Sequence, residues 1–226
     1  MTKDLHTFSS VDGLASELAT RIAGNLRSAV DNFGVARILL SGGSTPWPVY
    51  AQLSQLELPW RSVELGLVDE RFVPATSEYS NERNIRGSIL QGSGSSASFF
   101  SMVQHTNNAS ENLTQIRRDY ERFSQRTDVV ILGMGTDGHT ASLFPGDAAS
   151  EALLETSETG VFTTNAPNVP KERITCSSAL LLQATHIYLL ISGQEKWDVL
   201  QLGDSSLPIH RFLNARNDIH IYYALS

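Results

Sequence analysis

The chain has 226 residues, enough to bury a substantial core, and we expect a single α/β domain over residues 1–226. Hydrophobic residues make up 41% of the chain and charged residues 18%, a balance that excludes disordered and fibrous proteins. Its 24 acidic and 17 basic residues give a net charge of -7, which argues against a nucleic-acid-binding protein because such proteins carry a basic face.

Helices and strands are predicted in near-regular alternation. Ser10 is typical of a helix N-cap, and the apolar residues that follow it at helical spacing end before Gly34. Further helices are predicted at 81–90, 111–123 and 194–202, and a surface loop at the Gly/Ser-rich stretch 92–98. Short apolar runs predict strands at 35–40, 63–68, 129–132, 173–176, 186–191 and 219–223.

Buried strands that alternate with helices predict a three-layer, Rossmann-like α/β fold, in which helices cover both faces of a mostly parallel sheet. In such sheets ligands bind beyond the carboxyl ends of the strands. The segments that follow the strands at 35–40, 63–68 and 129–132 are therefore the first places to look for a site.

The first of these segments is the Ser-Gly-Gly-Ser-Thr-Pro run at 41–46. We expect Thr45 to cap the next helix and Pro46 to be the first residue of that helix. Glycines let backbone N–H groups approach a phosphate at a helix N-terminus, although a tight strand-to-helix turn needs glycine as well. A Walker A phosphate loop is excluded because no Gly-Lys-Ser/Thr follows.

The second and third segments carry ionisable side chains. Asp-Glu-Arg at 69–71 is compatible with a solvated loop. The run 133–138 matches Gly-x-Gly-x-x-Gly, but the following helix would be cut short near Pro145, which argues against a dinucleotide site. His139 suits a general base, since histidine titrates near pH ~6.5. Asp137 either orients it or caps a short helix expected to begin at Thr140.

Cysteine and histidine usage bears on metals and on location. The six histidines include no His-Glu-x-x-His motif or close pair, and one cysteine cannot build a thiolate site, so no metal is expected. The single Cys176 favours a reducing cytoplasm and a place in the core. Apolar runs of only strand length and the absence of a signal-peptide pattern predict no membrane association. We expect a monomer or a small homo-oligomer.

Taken together, several segments resemble the 6-phosphogluconolactonase family, of the glucosamine-6-phosphate isomerase/6-phosphogluconolactonase superfamily. The run 139–145 (His-Thr-Ala-Ser-Leu-Phe-Pro) is the most specific of them. The resemblance is in the expected order and is carried by 41–46, 68–74 with 80–81, 132–145, 169–175 and 193–196.

The resemblance implies hydrolysis of 6-phospho-D-glucono-1,5-lactone to 6-phospho-D-gluconate, in the pentose phosphate pathway, without a metal or an organic cofactor. His139 matches the general base, Arg71 a residue near the reacting carboxyl end of the substrate, and Asp137 an orienting residue. The substrate-binding residues that it implies, including a phosphate site, are Gly42, Gly43, Ser44, Thr45, Asp69, Gly138, Arg173 and Lys196.

Two alternatives compete with this reading. Glucosamine-6-phosphate deaminase needs carboxylates beside its histidine, yet no acidic residue lies between His139 and Asp147, and Leu143-Phe144 precedes Pro145 where the deaminase has an acid. A non-catalytic sugar-phosphate sensor would keep the phosphate-binding turn and could lose the base. Arg173 and Lys196 would ordinarily be surface charges.

Overall fold

The computed structural model describes residues 4–225. Within them the strands are β1 (Leu5–Phe8), β2 (Ala36–Leu40), β3 (Val63–Leu67), β4 (Asp69–Arg71), β5 (Ser98–Phe99), β6 (Val129–Gly133), β7 (Val161–Asn165), β8 (Glu172–Cys176), β9 (His186–Ser192) and β10 (His220–Ala224). The helices are α1 (Val11–Phe33), α2 (Trp47–Leu53), α3 (Asn81–Ser88), α4 (Ala109–Gln125), α5 (Ala148–Glu155), α6 (Ser178–Leu182), α7 (Gln194–Leu202) and α8 (Pro208–Ala215). Two short 3₁₀ helices cover Trp60–Ser62 and Gly92–Ser96.

Seven strands form one sheet in the order β1-β10-β9-β6-β2-β3-β5, and every pair of neighbours is parallel. Five of the predicted strands form the interior of this sheet, so the predicted α/β fold with a mostly parallel sheet is confirmed. The edge strands β1 and β5 were not predicted. Both are short and partly exposed, so neither contains the continuous apolar run that marks a buried strand.

The segment 69–71 is not the solvated loop with which its sequence is compatible, and the predicted strand at 173–176 lies outside the parallel sheet. Both pair in a second, antiparallel sheet of order β4-β8-β7. The expected loop at 69–71 is strand β4, in which Asp69 pairs with Thr175 and Arg71 with Arg173. This pairing depends on a partner about a hundred positions away along the chain, which no local pattern of charge or hydrophobicity reveals.

Helices α1 and α4 cover opposite faces of the parallel sheet. Asn25 of α1 donates a hydrogen bond to the Tyr188 hydroxyl of β9 (2.6 Å). On the other face, Gly66 of β3 leaves room for the Phe123 ring of α4, which a Cβ at this position would approach to 2.9 Å. The register from β9 through β6 and β2 to β3 places Tyr188 and Gly66 on different faces, which gives the three layers.

Helix α1 begins and ends where its sequence predicts. The Ser10 side chain accepts from the Gly13 N–H, and Gly34 takes the left-handed conformation (φ 76°) that ends many helices. The predicted apolar positions Leu14, Leu18 and Ile22 are fully buried, each worth about 1.5–3 kcal/mol of apolar transfer free energy. Local capping and helical spacing thus suffice to specify this helix.

Other helix predictions need correction. Helix α2 begins at Trp47 with Pro46 as its N-cap, and Thr45 does not cap it but shares a hydrogen bond with Ser192 (2.8 Å). No helix begins at Thr140, whose hydroxyl donates to the Gly133 carbonyl (2.9 Å). Helix α3 ends at Ser88 rather than at residue 90, and 92–98 contains a 3₁₀ helix and β5 instead of a loop alone.

Several elements were not predicted, namely β7, α5, α6 and α8. None of the helices within residues 4–225 combines the length and the apolar character that crossing a membrane requires. Cys176 is fully buried in β8, in agreement with its predicted place in the core.

The strand order reverses between β2 and β6. From β2 the chain continues to β3 and β5 on one side, whereas from β6 it continues to β9 and β10 on the other. Connections that leave neighbouring parallel strands in opposite directions open a crevice at the carboxyl ends of those strands. The glycine turn 41–46 follows β2 and the segment ending in His139 follows β6, so both border this crevice.

Candidate active site

A cleft of about 240 Å³ lies at this crevice. The segments after β2, β3 and β6 and the start of α7 meet there. Eight residues proposed from the sequence line it: Gly42, Gly43, Ser44, Thr45, Asp69, Arg71, His139 and Lys196. The remaining lining residues are Ser41, Pro46, Asn81, Gly133, Met134, Gly135, Ala141 and Leu190.

The glycine turn has a backbone path that only glycine accommodates. A Cβ at Gly42 would lie 1.9 Å from Oδ1 of Asn81, and Gly43 has a φ of 94°, a region that side chains disfavour. The amide of Asn81 donates in turn to the carbonyl of Asp69 (3.0 Å). The turn after β2 is therefore packed directly against the segment after β3.

The acidic pair after β3 is buried, which corrects the expectation of a solvated loop. Asp69 accepts a hydrogen bond from Ser142 (2.5 Å). Glu70 is only 1% exposed, and its carboxylate accepts from the backbone N–H groups of Asn81 (2.8 Å) and Glu82 (2.7 Å). Burial raises the pKa of Glu70, and these hydrogen bonds oppose the rise. The hydrogen bonds of Glu70 therefore hold the N-terminus of α3 against β4 beside the cleft.

His139 is held by Asp137. Its Nδ1 lies 2.5 Å from Oδ1 of Asp137, and the same oxygen accepts from the His139 backbone N–H (3.1 Å). Burial tends to raise the pKa of Asp137, but the hydrogen bond and charge of His139 outweigh it and hold the pKa below its usual value. A carboxylate on Nδ1 leaves Nε2 as the nitrogen that can take a proton.

Two neighbours fix the position of the His139 ring. It packs against Phe144 at 4.8 Å between ring centroids, and a Cβ at Gly135 would lie 2.2 Å from its Cε1. The ring is a third exposed. Of the two roles that the sequence left open for Asp137, the geometry matches the orientation of His139, because no helix begins at Thr140.

Positive charges gather at the cleft. Arg71 and Arg173 are directly opposite each other in the β4–β8 ladder, an arrangement that is destabilising for like charges. Arg71 donates to the Tyr79 carbonyl and Arg173 to the Pro170 carbonyl, so both hydrogen bonds are to neutral oxygens. Two neighbouring guanidinium groups make this place favourable for an anion.

Arg173 is mostly buried (9% exposed), which corrects its ordinary reading as a surface charge. Burial lowers the pKa of Arg173, and the charge of Arg71 acts in the same direction, opposed by Asp69 and Glu70. Arg173 does not itself line the cleft within the described part of the chain; it lies beside Arg71 and over the Phe144 ring (5.8 Å).

Lys196 contributes a third cation from the first turn of α7. Burial lowers the pKa of Lys196, and neighbouring Glu195 opposes that change. Gly193, with a φ of 83°, lets the chain turn from β9 into α7. This turn places Lys196 in the lining of the cleft. Lys196 is thus positioned to meet an anion bound at the glycine turn.

Gly138 is not among the residues that line the cleft in the described chain. Its φ is 78°, and a Cβ there would lie 2.9 Å from Leu207. Its carbonyl accepts from the Ile209 N–H (3.1 Å). Gly138 thus joins the His139 turn to the start of α8, and its role in substrate binding stays a prediction.

Sequence reasoning missed two polar residues of the cleft. Ser41 was noted only as part of the glycine turn, yet its hydroxyl is buried and makes no hydrogen bond to any described residue. Asn81 was noted in a helix and in a segment that carries the family resemblance, but not as a residue of the site; its side chain lies between Gly42 and Asp69. The position of Ser41 next to two glycines could have identified it from the sequence. The position of Asn81 depends on its contacts with Gly42 and Asp69, which the sequence does not show.

The family model for glucosamine-6-phosphate isomerases/6-phosphogluconolactonase matches residues 9–221. The chain belongs to this family. A 6-phosphogluconolactonase of Rhizobium meliloti is 36% identical to this chain, and the similarity covers 99% of this chain and the whole of the relative. One from Pseudomonas aeruginosa is 33% identical, over 96% of this chain and 94% of its own.

Solved structures show the same relationship. A crystal structure of a 6-phosphogluconolactonase from Shewanella baltica has a TM-score of 0.93 and 34% identity, covering 99% of this chain and 98% of its own. The structure from Thermotoga maritima has a TM-score of 0.80 at 27% identity, with both chains fully covered. The family resemblance inferred from the sequence is confirmed.

The Arg71–Arg173 pair generates a test of stability. Arg117 is a matched control: like Arg173, it donates Nε to a carbonyl oxygen and lies over a phenylalanine, but it opposes no arginine in a strand ladder. Arg117→Met should lower the free energy of unfolding by about 0.5–1.5 kcal/mol through its lost hydrogen bond. Arg173→Met loses the same kind of hydrogen bond but also removes the repulsion, so it should lower the free energy of unfolding by about 0.2–1 kcal/mol less than Arg117→Met does.

Urea unfolding at low salt measures both values. An equal loss in the two variants would mean that repulsion between Arg71 and Arg173 is not significant.

Proposed function

We propose that this chain hydrolyses 6-phospho-D-glucono-1,5-lactone to 6-phospho-D-gluconate, with His139 as general base. The observation that carries the proposal is the convergence, in one cleft, of a histidine oriented by a carboxylate and a group of cations that favours an anionic sugar phosphate. Family membership and relatives named 6-phosphogluconolactonase support the same reaction.

In the proposed mechanism, Nε2 of His139 takes a proton from water as the water oxygen attacks the lactone carbonyl carbon. Asp137 stabilises the resulting imidazolium through Nδ1. The ring C–O bond of the tetrahedral intermediate then breaks, and the imidazolium returns the proton to the departing ring oxygen. General-base catalysis of this kind contributes about 10²–10⁴-fold. A sugar lactone is a reactive ester, so a covalent nucleophile is unnecessary.

The positively charged residues are proposed to stabilise the oxyanion and to bind the phosphate. Arg71, in the cleft with His139, is proposed to stabilise the negative charge that develops on the carbonyl oxygen. Lys196 and the turn at 42–45 are proposed to bind the phosphate, which anchors the substrate away from the reacting carbon. Arg173 stays a predicted phosphate ligand, and from its position beside Arg71 it also adds to the positive potential of the cleft.

The direct test is acid release from freshly prepared 6-phosphogluconolactone, followed with a pH indicator. We expect a rate well above spontaneous hydrolysis and unchanged by EDTA, because no step uses a metal. Ammonia release from glucosamine 6-phosphate would instead identify the deaminase. Binding of 6-phosphogluconate without turnover would identify a sensor. Either of these two results would overturn the proposal.

Lys196 should act through substrate affinity. A charge-assisted contact is worth about 1.5–3 kcal/mol, so Lys196→Ala should raise KM for the phosphorylated lactone about 10–100-fold with kcat little changed. Unphosphorylated gluconolactone should be a poor substrate that is indifferent to the change. Lys171→Ala, at an exposed lysine outside the cleft, is the control. Equal effects on both lactones would contradict a phosphate contact by Lys196.

A further inference from the structure

Three side chains with metal-binding atoms meet at the edge of the parallel sheet, where β1 pairs with β10. Asp4 immediately precedes β1, His6 lies within it, and His220 begins β10. One potential ligand atom from each lies within 4.8 Å of the others. These residues come from opposite ends of the sequence, and only the parallel pairing of the first and last strands brings them together.

The Asp4 carboxylate lies between the two imidazoles. Its Oδ2 is 2.5 Å from Nδ1 of His220, and its Oδ1 is 3.2 Å from Nε2 of His6. That Nε2 atom is nevertheless buried and makes no hydrogen bond to a described residue. A buried ring nitrogen without a hydrogen bond is costly, and here it faces a carboxylate and a second imidazole.

The neighbours of the two histidines fix their orientation. His6 stacks on Tyr222 (4.5 Å between centroids), and His220 stacks on Tyr188 (5.2 Å). The other ring nitrogen of His6, Nδ1, is 3.7 Å from the Glu17 carboxylate of α1. Metal-binding histidines commonly donate their second ring N–H to a carboxylate, which fixes the tautomer and strengthens the ligand. Glu17 would take that role by moving from 3.7 Å to within hydrogen-bond distance of Nδ1.

We propose that Asp4, His6 and His220 bind a divalent transition-metal ion of the Zn²⁺ class. Two imidazole nitrogens and one carboxylate oxygen are a ligand set suited to this ion, with a solvent molecule in the fourth tetrahedral position. Bonds of about 2.0–2.2 Å to all three would draw the ligand atoms closer together than the separations of up to 4.8 Å in this structure.

The proposed ion is remote from the candidate active site. Asp4 and His220 lie at the amino ends of β1 and β10, whereas the cleft lies at the carboxyl ends of the strands. The ion would connect β1 to the neighbouring β10, and would stabilise the fold without taking part in hydrolysis. Because metal binding adds to the stability of the folded state alone, its effect should appear in the melting temperature.

The test uses full-length protein without a histidine tag, stripped with EDTA and dialysed. Calorimetric titration with Zn²⁺ should give one site per chain, and Co²⁺ should give the visible absorption of a low-symmetry site. At a hundredfold excess of Zn²⁺ over Kd, Tm should rise by about 5–10 °C. The absence of saturable binding would overturn the proposal and leave the three residues as an ion-pair cluster.

Variants assign the ligands. His6→Gln and His220→Gln should each abolish the Zn²⁺-dependent rise in Tm, whereas His105→Gln, at an exposed histidine outside the cluster, should retain it. Glu17→Gln leaves all three ligands in place and should weaken Zn²⁺ binding about 10–100-fold. If a ligand variant fails to fold, Glu17→Gln alone decides. Unchanged Zn²⁺ affinity in these variants would contradict the assignment.

Discussion

Strands β2 and β6 lie side by side in the parallel sheet, and the chain leaves them toward opposite edges. The turns that follow lead away from each other, so a cleft forms where the strand order reverses. The glycine turn occupies one wall and the His139 turn the other. His139 and the glycine turn therefore line the same cleft, each held there by its own strand.

The small antiparallel sheet places two positive charges beside the cleft. The β4–β8 pairing places Arg71 against Arg173, while Glu70 binds the N-terminus of α3 and keeps β4 in position. Like charges held together are unfavourable in the free protein. An anion bound between them would relieve that repulsion. The two guanidinium groups thus create a locally positive region in a protein of net charge -7.

Sequence predicted the parts of the molecule whose signals are local. Helix α1 and the interior strands have continuous apolar patterns and caps, and the glycine turn and His139 follow strands directly. The sequence could not reveal that Arg71 opposes Arg173, because that depends on pairing between distant segments. The cluster of Asp4, His6 and His220 was missed for the same reason: spacing rules look for nearby histidines, and 216 positions separate Asp4 from His220. Thr45 was misjudged because Ser192 competes for its hydroxyl.

The central claim is that His139, oriented by Asp137, activates the attacking water, and the pH profile of kcat in a His139→Asn variant tests it most directly. Asparagine keeps a polar side chain but removes the base, so kcat should fall about 10²–10⁴-fold with KM little changed. The wild-type kcat should fall toward acid pH, because a general base must be unprotonated to act, and the variant should lose that dependence. His105→Asn, at an exposed histidine outside the cleft, is the control. A folded His139→Asn protein with near-normal kcat and the wild-type pH profile would contradict the account.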